Sequence, residues 1–263
     1  RYKRVKTSAY TALISTVALG AILTSLGVLL TPMLMRAIDT PNNIFDDSAL
    51  YLKIYTGGFI FLFIYNIANG IFTSLGDSKT SLYFLIFSSV TNVMLDYIFV
   101  KWFGRGVSGV AWATFIAQGI AGLLSVITLL KHLKTLKTDE KPPLFSFYIL
   151  KKFARISIPS VLQQSFVSVG NVFIQKLING FGSSVIAGYS AAIKLNTFTI
   201  NSLYTFGNGV SSFTAQNYGA GKHQRIKEGM KYGTVMVVIT GLIFAVTYLR
   251  LNETLIKVFM DAD

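Results

Sequence analysis

Seven stretches of this chain are each long and apolar enough to cross a bilayer: roughly 8–35, 50–75, 80–103, 106–130, 153–180, 183–213 and 232–259. A helix needs about 20 apolar residues to cross a hydrocarbon core of ~30 Å. At that depth every backbone N–H and C=O must bond within the protein, so only helices or closed barrels span. Runs of this length predict an all-α, polytopic bundle of about seven transmembrane helices. Clusters of turn-forming residues separate them at Pro41-Asn42-Asn43, Gly76-Asp77-Ser78, Gly104-Arg105-Gly106, Pro142-Pro143, Gly180-Phe181-Gly182 and Gly219-Ala220-Gly221. Only 13% of residues are charged, against about 25% in soluble domains.

A net charge of +13 could suggest nucleic acid, but the basic residues sit in short loops between apolar runs without interleaved exposed aromatics. Their distribution is topological. One set of loops holds sixteen of the 24 basic residues: Arg1, Lys3, Arg4 and Lys6; Lys79; seven from Lys131 to Arg155; and four from Lys222 to Lys231. The other set has the acidic pair Asp46-Asp47, read as part of a turn, and scattered cations. The positive-inside rule puts the first set in the cytoplasm, so the first helix runs outward. The sequence has no Cys and two His, His132 and His223, both beside basic loop residues. Disulfides, thiolate metal sites and Cys or His catalysis are thereby excluded.

The polar connection near 131–152 divides the chain into four helices and three: a first part at 1–131, a cytoplasmic linker at 132–149 and a second part at 150–263. The chain starts at Arg1 without Met, and the expectation is a central piece of a longer protein. A weak repeat at an offset of 221 supports that expectation. Arg4-Val5-Lys6 aligns with Arg225-Ile226-Lys227, and Val17/Val238, Gly20/Gly241, Ile22/Ile243 and Leu34/Leu255 also match.

Polar residues recur at helical spacing inside several spans. They are Asn66, Asn69 and Thr73; Ser88, Asn92 and Asp96; Gln164, Ser168, Asn171 and Gln175; and Lys194, Thr197, Asn201, Tyr204 and Asn208. A single Asn or Ser of this kind serves as interhelical glue worth ~0.6 kcal/mol. Four stripes together point to a hydrated cavity or substrate path. Lys194 has two readings, a cavity residue or a side chain snorkelling to the interface. Asp96 is the only charge between Ser81 and Val100, and an ionised carboxylate at membrane depth costs at least ~2.5 kcal/mol. It serves either as a functional ion site or as a structural partner of Lys101 or Arg105.

Four segments carry a family resemblance. Asn92-Val-Met-Leu-Asp96, then Gly106-Val-Ser-Gly-Val-Ala-Trp-Ala-Thr114 with Gln118, resembles the fifth-to-sixth helix signature of the multidrug and toxic compound extrusion (MATE) family. Ala215-Gln-Asn-Tyr-Gly-Ala-Gly-Lys222 with Arg225-Ile226 resembles its loop between helices eight and nine. Tyr65-Asn66 with Gly70 and Ser74-Leu-Gly-Asp-Ser-Lys-Thr80 resembles the end of helix four, and Ile158-Pro-Ser160 with Gln163 the start of helix seven. The match runs in order over nearly the whole chain and implies helices three to nine of a twelve-helix transporter. An acidic residue on helix seven is missing, so the resemblance is to the DinF-like branch.

The resemblance implies a cation-coupled multidrug antiporter of the bacterial cytoplasmic membrane, a monomer with no cofactor, exporting small amphipathic or cationic compounds by alternating access. Asp96, Asn92 and Thr114 would hold the coupling ion, Na⁺ or H⁺, with no other metal. An Asp on the family's first helix, outside this sequence, would complete the site. Asn66, Asn69, Gln164, Asn171, Gln175, Lys194 and Asn201 would line the substrate path. A flippase for lipid-linked oligosaccharides is the alternative, though only Lys194 and Lys176 could supply its cationic cavity. A seven-helix receptor fits the span count alone, and an enzyme is disfavoured because no acid–base or nucleophile set shares a face.

Overall fold

The computed structural model describes residues 2–37, 42–138, 140–181 and 183–259. All seven apolar stretches are helical. The elements are α1 (Tyr2–Ala37), α2 (Asn42–Gly57), α3 (Phe59–Ser74), α4 (Ser78–Tyr97) running into a π-helical turn (Ile98–Trp102), α5 (Gly106–Thr135), α6 (Phe147–Asn179), α7 (Ser183–Gly219) and α8 (His223–Phe259). Among the described residues, five segments are long and apolar enough to cross a membrane: Tyr2–Arg36, Ile44–Ser74, Ser78–Trp102, Gly106–Thr135 and His223–Asn252. α6 and α7 are equally long, but their polar stripes lower their hydropathy.

Three boundaries differ from the sequence reading. Asp46 and Asp47 lie inside the first turns of α2 rather than in a turn. The polar connection is shorter than its charge pattern suggests, since α5 continues to Thr135 and α6 starts at Phe147. The second span is also interrupted, with α2 ending at Gly57 and α3 starting at Phe59. Gly58 N–H donates to both Ile54 O (3.2 Å) and Tyr55 O (3.1 Å), while Phe61 N–H turns to Gly58 O (3.0 Å). Bonds of i→i−3 type are mixed into the i→i−4 ladder there, Leu62 N–H still reaching Gly58 O (3.2 Å), and such disturbance of the ladder is how helices acquire kinks.

The chain divides into two compact units, Arg1–Ala154 and Arg155–Asp263, with the boundary inside α6. In the first, α5 is the hub, packing against α2, α3 and α4, while α1 packs on α2 and α3. The sequence of α5 explains its role. Gly109, Ala113, Ala117, Ala121, Ser125, Leu129 and Leu133 recur every fourth residue and all are buried. Small side chains let neighbouring backbones approach, which drives helix association in lipid, where apolar surface gains nothing by hiding from tails. At Gly122 the approach is closest: a Cβ there would stand 3.0 Å from Phe61 O. Toward the other end the stripe turns to leucine, and Leu129 and Leu133 join Ala9, Ala12, Leu13, Ala68, Ile71 and Phe72 in one core.

In the second unit, α7 and α8 form an antiparallel hairpin. Gly221, at φ +71°, closes it, with Lys222 N–H reaching back to Asn217 O (2.9 Å) and Gly221 N–H to Tyr218 O (3.1 Å). This is a Schellman cap, which needs a left-handed residue and so favours glycine. α1 is one long helix with Pro32 inside it, whereas α8 is two helical pieces joined across a kink at Leu251 (φ −117°, ψ 21°).

Candidate functional site

The polar residues of the first unit gather around α4. Its start is fixed by Asp77, whose carboxylate accepts from Thr80 N–H (3.1 Å) as an N-cap. The hydrogen bonds from Thr80 hold the Asp77 carboxyl below the usual aspartate range. The preceding turn depends on Gly76 at φ +89°. With the helix phase set, Ser88, Asn92 and Asp96 fall one turn apart on one face.

That face meets α5. Asn92 Nδ2 donates to Thr114 Oγ1 at 3.2 Å, leaving the Asn92 carbonyl oxygen free to accept. One turn further on, Asp96 Oδ1 is buried and has no hydrogen-bond partner. The structural alternative for Asp96 does not hold. Lys101 turns to Tyr97, with its ammonium 2.6 Å from the hydroxyl and 4.9 Å from the ring centroid, and the one ion pair among the described residues joins Lys3 to Glu140. A carboxylate, an amide oxygen and a hydroxyl within one turn are all hard oxygen donors, the kind that hard cations take.

Immediately after Asp96 the helix widens into the π-turn at Ile98–Trp102, a feature that often accompanies functional sites. Gly109 lets α5 approach this turn, since a Cβ there would lie 3.1 Å from Phe99 Cβ. One turn beyond Thr114, Gln118 faces the α2–α3 break: its Oε1 lies 3.7 Å from where a Gly58 Cβ would sit, and Phe115 Cδ2 lies 3.4 Å from it. The Asn92–Thr114 pair and the interruption of the second span are thus joined through one stretch of α5. Sequence reasoning placed Gln118 in a motif but assigned it no role.

On α3, Asn69 Oδ1 and Tyr65 OH, one turn apart, are buried without partners. Asn66 is exposed and returns its amide to Leu62 O (2.8 Å). In the second unit, Gln164, Asn171, Gln175, Lys194 and Asn201 are exposed along their helices, and Ser168 bonds back to Gln164 O (3.0 Å). An interhelical contact unforeseen from sequence joins α7 to α8: Tyr248 OH donates to Leu195 O (2.9 Å) and shares a 2.5 Å hydrogen bond with Thr199 Oγ1.

Comparison with known proteins decides the family. The MatE family model matches residues 1–98 and 159–263. This chain belongs to the MATE family. It is similar to the probable multidrug resistance protein YpnP of Bacillus subtilis (strain 168), 32% identical over 202 residues, covering 76% of this chain and 44% of YpnP. The probable multidrug resistance protein YoeA of the same organism is 26% identical over 98% of this chain and 57% of its own length. The MATE chain therefore spans about half the length of the curated relatives it matches. Its fold is also that of a solved multidrug resistance MATE family transporter of the MOP superfamily, with TM-score 0.86 at 21% identity over 100% of this chain and 59% of that one.

Proposed function

We propose that this MATE chain takes part in cation-coupled export of small amphipathic or cationic compounds across the bacterial cytoplasmic membrane. The observation that carries the reading is the buried, unpartnered Asp96 carboxyl oxygen one turn from the Asn92–Thr114 hydrogen bond. A lone charge at that depth is costly, and neutralising it relieves the cost, either by a proton on the carboxyl or by a bound cation. The donors fit Na⁺ chemically: Asp96 carboxylate, Asn92 carbonyl and Thr114 hydroxyl are all oxygen ligands.

Neutralisation can drive movement because it changes which environment the α4 face tolerates. A ligand shifts a conformational equilibrium only by its differential affinity for the two states. Here the Asn92–Thr114 bond holds the α4–α5 contact, and Asp96 reports the charge state of the site to it. The π-turn beside Asp96 and the Gly58 break beside Gln118 are where the helices can yield. Asn66 and Asn69 on α3, Gln164, Asn171 and Gln175 on α6, and Lys194 and Asn201 on α7 serve the substrate path, where amide groups hydrogen-bond polar substrates without demanding a fixed charge. Resemblance to YpnP and YoeA, both named as probable multidrug resistance proteins, supports that choice of substrate.

The test is ethidium efflux from right-side-out vesicles carrying the full-length protein, driven in turn by imposed Na⁺ and H⁺ gradients. Asp96→Asn removes the charge at nearly constant shape and is expected to abolish gradient-driven efflux. Undiminished efflux from this variant removes Asp96 from the mechanism.

A further inference from the structure

The end of the first unit that carries the basic loops is built as more than a scatter of positive charge. Three chain segments meet there: the start of α1, the end of α5 and the connection 136–146 leading into α6. Leu136 and Phe153 pack on the core formed by Ala9, Leu13 and Leu133. Ser146 N–H donates to Thr11 Oγ1 across that junction (3.0 Å), and Lys3 pairs with Glu140. The connection is therefore held down over the end of the bundle.

What it presents outward is unusual for a cap. Phe147 is 76% exposed and Tyr148 68% exposed, and Leu144 and Phe145 are exposed beside them. Each of the two rings has a lysine one helical turn on, Lys151 and Lys152, both exposed. Lys152 Nζ lies 4.5 Å from the Tyr148 ring centroid. The Lys152 hydrogen bond first, then its charge, hold the Tyr148 hydroxyl below the usual phenol range. Arg4 follows Lys3, whose ion pair with Glu140 brings the start of α1 to the connection leading into α6. Exposed aromatic rings flanked by cations are the pairing found at the bilayer–water boundary. The opposite end of this unit also has exposed rings beside cations, Tyr97, Trp102 and Phe103 with Lys101 and Arg105, but that end also carries exposed Asp46 and Asp47.

We propose that the start of α6, with Arg4 of α1, forms a binding site for an anionic phospholipid of the cytoplasmic leaflet. Arg4, Lys151 and Lys152 hold the phosphodiester, while Phe145 and Phe147 lie among the upper acyl chains. Charge complementarity selects this occupant: cytoplasmic leaflets carry negative headgroups, and clustered basic residues next to a span attract them. The site requires insertion in a membrane and is independent of what the protein transports.

Native mass spectrometry of the purified protein, given phosphatidylglycerol and phosphatidylcholine with identical acyl chains, tests this. The unaltered protein is expected to retain phosphatidylglycerol with a preference of about tenfold or more, since each nearby Lys or Arg adds about fivefold. Combining Arg4→Gln, Lys151→Gln and Lys152→Gln should bring retention of the two lipids level. Combining Arg36→Gln, Lys53→Gln and Arg105→Gln, at the other end, should leave the preference intact. Circular dichroism checks that each variant keeps its helicity. Should the first combination not fold, Phe147→Trp serves as the reporter, with brominated phosphatidylglycerol expected to quench it more than brominated phosphatidylcholine. Equal retention by the unaltered protein, equal loss in both charge variants, equal quenching by both lipids, or displacement by soluble glycerol phosphate would each overturn the proposal.

Discussion

Asn92 donates its side-chain N–H to the Thr114 hydroxyl across the α4–α5 interface, 3.2 Å apart and one turn from the unpartnered Asp96 carboxyl oxygen. Hydrogen bonds of this kind between membrane helices contribute about 0.6 kcal/mol on average. Thr114→Val, which keeps the shape and removes the acceptor, should therefore lower unfolding free energy in detergent by only about that amount. Gradient-driven efflux should fall at least about tenfold, because the pair positions the free Asn92 carbonyl beside Asp96. A variant that loses stability and transport in proportion would show the bond to be packing glue alone.

At the basic end, Asp77 caps α4 through Thr80 N–H, and removing such a cap typically costs about 1 kcal/mol. Its carboxyl is depressed, chiefly by hydrogen bonding to Thr80, so its contribution is present above the ordinary aspartate pKa and is lost as pH falls through the depressed folded value. Asp77→Ala should destabilise the protein at neutral pH, and the gap between variant and parent should close in acid. Chemical denaturation at a series of pH values reads this directly, and a gap that widens in acid would contradict it.

The spans and the α4 polar face were legible in the sequence because a bilayer enforces both. Apolar length identifies a crossing, and one carboxylate in a 20-residue apolar run cannot be accidental when its cost is measured against lipid. What pairs with what was harder to read. Gly57 and Gly58 look like ordinary membrane-helix glycines, and only the helix-to-helix register shows that Gln118 and Phe115 lie against the break. Tyr248 and Thr199 are 49 residues apart, and hydropathy does not determine the sliding of α7 against α8 that brings them together. Lys101 was a plausible partner for Asp96 by spacing, yet the stem of a lysine one turn along reaches Tyr97 more directly.

The tightest backbone approach in the first unit supplies a packing prediction. A Cβ at Gly122 would stand 3.0 Å from Phe61 O, a backbone atom that cannot rotate away. Gly122→Ala must push α5 off α3, at a cost of about 1–3 kcal/mol for an overpacked site. Gly119→Ala one turn earlier meets only the Phe61 ring at 3.8 Å and should be near neutral. Thermal unfolding of the two variants in detergent compares them, and equal stability would mean that α3 and α5 are not held this closely.

The α7–α8 hairpin depends on Gly229 and Gly233, one turn apart on α8. Val210 of α7 occupies the space over Gly233, and a Cβ at Gly229 would fall 2.6 Å from Phe213 Cδ1. Arg225, 5.7 Å above the Phe213 ring, helps to keep it there. Gly229→Ala should cost about 1–3 kcal/mol, the usual penalty for overpacking a contact, because the half-buried Phe213 ring must move aside. Phe213→Ala empties the space that the new methyl needs, so the double variant should be more stable than the two single losses would add up to. Such non-additivity is expected only for residues in direct contact. A double-mutant cycle in detergent unfolding measures it, and a coupling of zero would mean that these two side chains do not meet.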